Sequence, residues 1–242
     1  MKILISRSSL EGKKLVQYLF QSNIYAYNFP LIDFLPLADL NFFLQKLNLL
    51  KKNDILCALS KNAVFYADKI LKKKKTFWPK YINYYAIGRS TATNLSFCTK
   101  KKVLFPTKKE NSNELFNLIS KKKLLNKKII IIKGYSYLNI LEKKLKRTGV
   151  KISVINCYKS VPKILKQKNK YKNLKFDVIF ITSLKILKVI YDFFIIKNKN
   201  FKILESIILV ISKRISESAK ILGWKKIFVV ESTDKKEIKK KF

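Results

Sequence analysis

Small and hydroxyl-bearing residues recur where the apolar runs of this chain stop. Ser60 follows "DILCAL", Gly88-Arg89-Ser90-Thr91 follows "YYAI", Thr182-Ser183 follows "DVIFI" and Ser212 follows "IILVI". Arg7 closes "KILIS", and Lys133-Gly134 closes the run "IIII". If each run is a strand and a helix follows, the first N–H groups of that helix have no intrahelical partner and carry the positive end of its dipole. Such turns suit a phosphate or a carboxylate. Taken singly, each is equally well an ordinary helix cap, by Ser90 or Thr91 at the Gly88 turn and by the serine itself at Ser60, Ser183 and Ser212. The Gly88 turn fits neither the Walker pattern nor G-x-G-x-x-G, and five glycines in all leave no dinucleotide fingerprint. Tyr158, in "NCYKSVP", is a phenol that either donates a proton or packs at a strand edge.

Absences narrow the chemistry. The chain has no histidine, so it has no histidine triad and no imidazole base. Its three cysteines, Cys57, Cys98 and Cys157, are far apart, which rules out a closed Cys/His zinc site and fits a reducing compartment better than a disulfide framework. No pair of buried carboxylates is evident. No apolar run approaches the roughly 18 residues of a membrane span, and "MKILISRS" is too short for a signal segment, so a soluble cytoplasmic protein is expected.

The net charge of +38 comes from 53 basic residues of which only four are arginine, Arg7, Arg89, Arg147 and Arg214. Abundant Lys, Ile, Asn, Phe and Tyr share A/T-rich codons, so genome composition and a solvated surface explain much of the excess. A surface selected to read phosphates would use more arginine for its bidentate fork. Attraction of an acidic small substrate and binding of nucleic acid are the alternatives. Lysine stretches such as 72–75, 121–123 and 235–241 read as solvated helix ends or tails.

The elements that must position these turns come in repeats. Residues 2–34 match 128–160, each a strand, a helix, a strand and an extended tail. Residues 53–107 match 176–231, each a strand, helix, strand, helix and strand, with Ser60 opposite Ser183 and Gly88 opposite Ser212. One short and one long unit make five strands alternating with helices, which predicts a doubly wound parallel sheet with right-handed crossovers. Two such sheets make two α/β domains. The periodicity does not say which short unit joins which long one. All the turns above then fall at strand carboxyl ends, where open α/β sheets bind ligands. Repeated across two domains, the small-residue turns form a set of donors suited to a polyanion.

The segments "ILISRS", "FPLIDFLPL", "LCALSKNAVFYA", "WPKYINYYAIGRSTA", "CYKSVP" and "LVISKRISESAKILGW", in this order and spacing, resemble the uroporphyrinogen-III synthase family, particularly its enterobacterial form. The resemblance implies two flavodoxin-like α/β domains joined by a two-stranded antiparallel ladder. It places 1–30 with 164–242 in one domain, 39–156 in the other, and 31–38 and 157–163 in the ladder, with the active site in a cleft between domains. It implies closure of the linear polycarboxylate hydroxymethylbilane to uroporphyrinogen III through a spiro intermediate, with the last pyrrole inverted and water lost, and with neither cofactor nor metal.

Residue by residue, the resemblance gives Tyr158 the proton-donor role and Thr91 a place at the substrate. It brings Arg7, Ser60, Gly88, Ser90, Lys133, Gly134, Thr182, Ser183 and Ser212 to substrate-facing loops. A carboxylate of the substrate would then lie on the N–H groups after Gly88. The chain departs from the family pattern at Lys133-Gly134-Tyr135-Ser136-Tyr137, at Leu184 after Thr182-Ser183 and at Ser212-Lys213-Arg214. The expected partner is the substrate, with no specific nucleic acid, no membrane and no second subunit. A transient contact with the preceding pathway enzyme could be added. The alternative is a basic ligand- or nucleic-acid-binding protein that keeps the fold without the chemistry.

Overall fold

The computed structural model describes residues 1–7, 9–37, 40–122, 124–135, 139–163, 175–230 and 238. The lysine-rich stretch 235–241, apart from Ile238, and the departure at Ser136-Tyr137 lie outside these residues. In chain order the strands are β1 (Ile3–Ile5), β2 (Ala26–Asn28), β3 (Ile32–Pro36), β4 (Ile55–Ala58), β5 (Asn83–Ala86), β6 (Val103–Leu104), β7 (Lys128–Gly134), β8 (Lys151–Pro162), β9 (Val178–Ile181), β10 (Ile207–Val210) and β11 (Ile227–Val229). The helices are α1 (Ser9–Phe20), α2 (Leu40–Asn48), α3 (Lys61–Lys73), α4 (Arg89–Thr99), α5 (Ser112–Ser120), α6 (Ile140–Lys146), α7 (Leu184–Tyr191) and α8 (Lys213–Ile221). A π-helical turn, Asp192–Lys197, continues α7.

Contacts divide the chain into two compact units, Met1–Asp33 with Val161–Phe242, and Phe34–Ser160. The first holds a parallel sheet in the order β11-β10-β9-β1-β2. The second holds a sheet in the order β3-β8-β7-β4-β5-β6, parallel from β8 to β6. Strands β3 and β8 pair at its edge. Leu37 N–H donates to the Cys157 carbonyl and Lys163 N–H to the Leu31 carbonyl, and partners whose numbers run in opposite directions make this pair antiparallel.

Continuous apolar runs become strands covered on both faces, because alternate side chains serve opposite layers. In the second unit Leu56, Ala58, Ile130 and Ile132 pack with Phe43, Val64 and Leu95 of α2, α3 and α4. Their neighbours Ile55, Cys57, Ile129 and Ile131 pack with Leu115 and Ile119 of α5 and Leu141 and Leu145 of α6. In the first unit Leu4 faces the α7 and α8 layer, while Ile3 and Ile5 face Leu15 and Leu19 of α1. Each such Leu, Ile, Val or Phe side chain contributes about 1.5–3 kcal/mol relative to exposure.

The sequence repeat is also a register repeat. Ile3 lies opposite Ala26 and Val178; its counterpart Ile129 lies opposite Ile152 and Ile55. Ile207 pairs with Val178 as Asn83 pairs with Ile55. Even a polar clamp recurs. Asp177 accepts the Lys2 N–H, and Asp54 accepts the Lys128 N–H at 3.0 Å, each at the entry to the central strand. The structure also settles the pairing that periodicity left open. The first short unit joins the last long unit, and the two middle units form the other sheet.

Candidate functional site

In the second unit the turns meet at the carboxyl edge of the sheet. Ser60 holds an extended backbone and its Oγ accepts the Ala63 N–H at 3.1 Å, which starts α3. The same Oγ lies 3.1 Å from the Tyr158 hydroxyl. Two equivalent turns in the first unit are built alike: Ser183 Oγ accepts from Ile186 N–H at 3.2 Å and Ser212 Oγ from Ile215 N–H at 3.4 Å. They open α7 and α8 at the ends of the adjacent strands β9 and β10. Thr182 precedes this cap, half-buried, and Arg7 is half-buried just past β1, the neighbour of β9.

Tyr158 owes its direction to an irregularity in β8. Lys133 pairs with Asn156, but Gly134 pairs with Tyr158, so the register slips by one residue. Consecutive side chains of a regular strand point to opposite faces. Here Cys157 is buried in the α2–α4 layer, and Tyr158 packs against that same layer. An extra residue in a strand re-aims a side chain in this way. Gly134 makes room for the ring: a Cβ there would stand 2.5 Å from Tyr158 Cζ. Tyr135 N–H then closes on the Tyr158 carbonyl at 2.7 Å. The ring of Tyr66 stacks on the phenol at 5.8 Å, and Phe34 meets it edge-on at 5.3 Å.

Burial raises the Tyr158 hydroxyl above the ordinary phenol range, and side-chain hydrogen bonds with Ser60 and Asn62 oppose that rise. The phenol therefore stays protonated at neutral pH, while partners at its oxygen favour the phenolate if the proton leaves. The ring of Tyr158 packs, as one of the two sequence readings had it, while its hydroxyl sits in a polar corner with Ser60 and Asn62.

At the next strand the Gly88 turn is built differently from its three counterparts. Gly88 is the residue before α4 and offers no side-chain cap; Ser90 is exposed in the first turn, and Thr91 is buried at 6% exposure. Neither Ser90 nor Thr91 caps the helix as the ordinary reading of this turn had it, because both already lie inside it. The Arg89 N–H instead donates to Glu110 Oε1 at 2.9 Å. Glu110 arrives from the loop after β6 and lies over the Gly88 Cα, a place that a side chain on residue 88 would fill.

Lys133 is the second surprise. Its side chain is buried at 5% exposure, and its ammonium donates to Glu142 of α6 and to Asn139 Oδ1 at 2.6 Å. A buried ion pair of this kind holds the β7–α6 connection, since neither charge can be left alone in the interior. What residue 133 can offer a ligand is therefore backbone. Gly134, Ser60 and Tyr158 come together, Gly88 lies one strand along, and Arg7, Thr182, Ser183 and Ser212 stand on the first unit's own sheet.

Three comparisons bear on what this arrangement is. The family model described as "Uroporphyrinogen-III synthase HemD" matches residues 13–238. The chain belongs to the uroporphyrinogen-III synthase family. It is 28% identical to the uroporphyrinogen-III synthase of Escherichia coli K12 over 237 residues, covering 97% of this chain and 96% of the relative. With that of Proteus mirabilis it shares 34% identity over 158 residues, 65% of this chain and 79% of the relative. The crystal structure of the Helicobacter pylori uroporphyrinogen-III synthetase superposes with a TM-score of 0.60 at 18% identity, covering 98% and 95% of the two chains, and that likeness concerns the fold. Among the described residues no helix is long and apolar enough to cross a membrane.

For a uroporphyrinogen-III synthase, sequence reading missed Glu110, Asn62, Tyr66 and Phe34. Asn62 was within reach, being two residues past Ser60 at a helix start. Glu110, 21 residues from Arg89, carries no local signal.

Proposed function

We propose that this uroporphyrinogen-III synthase closes hydroxymethylbilane to uroporphyrinogen III as a cyclising hydro-lyase, with Tyr158 as the proton donor. The observation that carries the reading is the Tyr158 hydroxyl held 3.1 Å from Ser60 at the carboxyl end of the sheet, in a chain of this family. The Tyr158 O–H transfers its proton to the leaving hydroxyl as the C–O bond breaks, and water departs. Ser60 Oγ–H turns to the phenolate left behind, with Asn62 beside it. Ring closure through the substituted carbon of the last pyrrole, rearrangement of the spiro intermediate and loss of a ring proton restore the phenol. One proton is given and one returned, so no net acid is consumed.

The rest of the task is conformational, since the bilane loses its hydroxyl readily and closes unaided to the wrong isomer. Holding the chain so that the last ring attacks in the inverted sense is an orientation effect. Carboxylate anchors suit that task. The N–H groups at Ser60, Gly134 and the Gly88-Ser90-Thr91 turn on one sheet are the candidates, with those at Thr182-Ser183 and Ser212, and Arg7, on the other. Lys133 contributes its backbone alone.

The test is to supply enzymically generated hydroxymethylbilane and identify the isomer formed, with and without a chelator. Type III product in both conditions is expected. Type I alone would overturn the function, and loss of activity on chelation would overturn the metal-free mechanism.

A further inference from the structure

Tyr66 has no part in the reading above, yet its ring stacks on that of Tyr158. It lies on α3, two turns from Ser60, so one helix supplies both the face and the polar corner of the phenol's seat. The two rings are nearly parallel, 25° apart with centroids at 5.8 Å, an offset stack. Tyr66 is itself fixed. Its hydroxyl donates to the Phe34 carbonyl at 2.6 Å, and the Phe34 ring meets Tyr158 at 86°. The three residues thus form a closed circuit: Tyr66 to the β3 backbone, the β3 side chain to Tyr158, and Tyr158 back to Tyr66. Gly134 lies against the phenol end of the ring.

A tyrosine side chain has two torsions to fix. Ser60 restrains the oxygen but not the tilt of the ring. The stack and the edge contact supply that restraint, and the Tyr66 hydroxyl keeps the stack from sliding along α3. A proton donor must sit within hydrogen-bond reach of the atom it protonates, and a misplacement of about 1 Å can cost on the order of 10²-fold in rate.

We propose that Tyr66 is a positioning residue of the reaction, holding the Tyr158 phenol at the tilt from which it delivers its proton. The inference rests on the reading of Tyr158 as donor. It implies that Tyr66 acts on kcat and not on substrate binding, and that it acts through Tyr158 alone.

A double-mutant cycle on the full chain tests this, with steady-state kinetics, isomer analysis and thermal melts for each variant. Tyr66→Leu should lower kcat roughly 10-fold and leave KM within about 2-fold. Tyr66→Phe keeps the stack, loses the tether to Phe34 and should recover about half of that loss on a logarithmic scale. In the Tyr158→Phe background Tyr66→Leu should cost nothing further, because the group it positions is gone. Should Tyr66→Leu fail to fold, the cycle is run with Tyr66→Phe, whose expected loss is about 3-fold. Full kcat in Tyr66→Leu beside an impaired Tyr158→Phe overturns the role of Tyr66 and leaves Tyr158 standing. Additive losses overturn it too, since Tyr66 would then act elsewhere. Full turnover in Tyr158→Phe overturns the donor itself, and Tyr66 with it.

Discussion

The phenol of Tyr158 rests on Gly134, close enough that a Cβ on residue 134 would lie 2.5 Å from Tyr158 Cζ and 2.7 Å from its hydroxyl oxygen. The glycine is thus a seat and not a hinge. Gly134→Ala forces the ring off its place beside Ser60, because the obstructing atoms are the ring itself. Overpacking of this kind costs about 1–3 kcal/mol, so the melting temperature should fall by a few degrees. Turnover should fall at least as far as in Tyr158→Phe, roughly 10- to 100-fold. Steady-state rates at saturating substrate check this, and unchanged turnover in a folded Gly134→Ala protein would show that the phenol need not sit there.

Tyr158→Phe keeps the ring, its stack and its edge contact, and removes only the hydroxyl. Stability should change little and turnover should drop roughly 10- to 100-fold, toward the low end because the leaving group departs readily. The pH profile follows from the raised phenol. An acid must be protonated to act, and burial holds Tyr158 in that form beyond the ordinary phenol value of about 10. Wild-type kcat should therefore show no alkaline decline from this group up to pH about 9.5. A decline centred near pH 8 that vanishes in Tyr158→Phe would contradict the direction of the shift.

Much of this arrangement was readable before any coordinates, for reasons that particular residues make clear. The run Ile129–Ile132 suits a strand buried on both faces, and serine before an apolar periodic stretch announced the turns at Ser60, Ser183 and Ser212. The repeat carried the succession of strands and helices in each unit, though not the registers or the clamps at Asp54 and Asp177, which packing revealed. What periodicity could not supply is long-range choice. Two similar short units fit two similar long units either way, and only packing distinguishes them. Nor could it supply the slip in β8, where one extra residue at Cys157 turns Tyr158 toward α3. Tyr66 was hidden for a related cause: on the amphipathic helix α3 it reads as one more core-facing aromatic. Lys133 read as one more residue of a substrate-facing loop because its pairing with Glu142, nine residues on, carries no local signal.

Asp68 gives a test of stability apart from the site. Burial alone would raise its pKa, but hydrogen bonds from Lys72 and Trp78, the Lys72 charge and a hydrogen bond from Cys98 outweigh that and lower it. A carboxylate lowered in the folded state stabilises above its unfolded pKa of about 3.9, and that contribution is lost as pH falls through the folded value. Asp68→Asn should therefore be less stable than wild type at pH 7, and the difference in urea midpoint should shrink below pH 4. A difference that persists or widens in acid would contradict this. The Cys98 thiol is pushed up to about 11, by burial first and then by the Asp68 charge and hydrogen bond. Asp68→Asn should consequently also speed alkylation of Cys98 at pH about 8, where the thiolate fraction sets the rate.

The last prediction concerns Glu110, which occupies the Gly88 turn that, unlike those at Ser60, Ser183 and Ser212, lacks a serine cap. Its carboxylate accepts the Arg89 N–H at 2.9 Å, at the start of α4, where the helix dipole favours negative charge. The proposed substrate is a polycarboxylate, and a carboxylate arriving at this turn meets one already there. Two outcomes separate the roles Glu110 could play. If it is only the missing cap, Glu110→Ala removes that cap, lowers stability by about 1 kcal/mol and leaves KM alone. If the turn also anchors substrate, removing Glu110 frees the Arg89 N–H and lifts a like-charge repulsion, so KM falls as stability does. The expectation is the second: a KM lowered about 3-fold with kcat within 2-fold, since opposite signs in binding and stability follow from competition for one donor. Competition also predicts the salt response. Between low ionic strength and about 0.3 M, KM should rise for both proteins as the lysine surface is screened, and the gap between them should narrow. Glu110→Ala with wild-type KM at every salt concentration would confine Glu110 to capping and remove the Gly88 turn from the substrate's anchors.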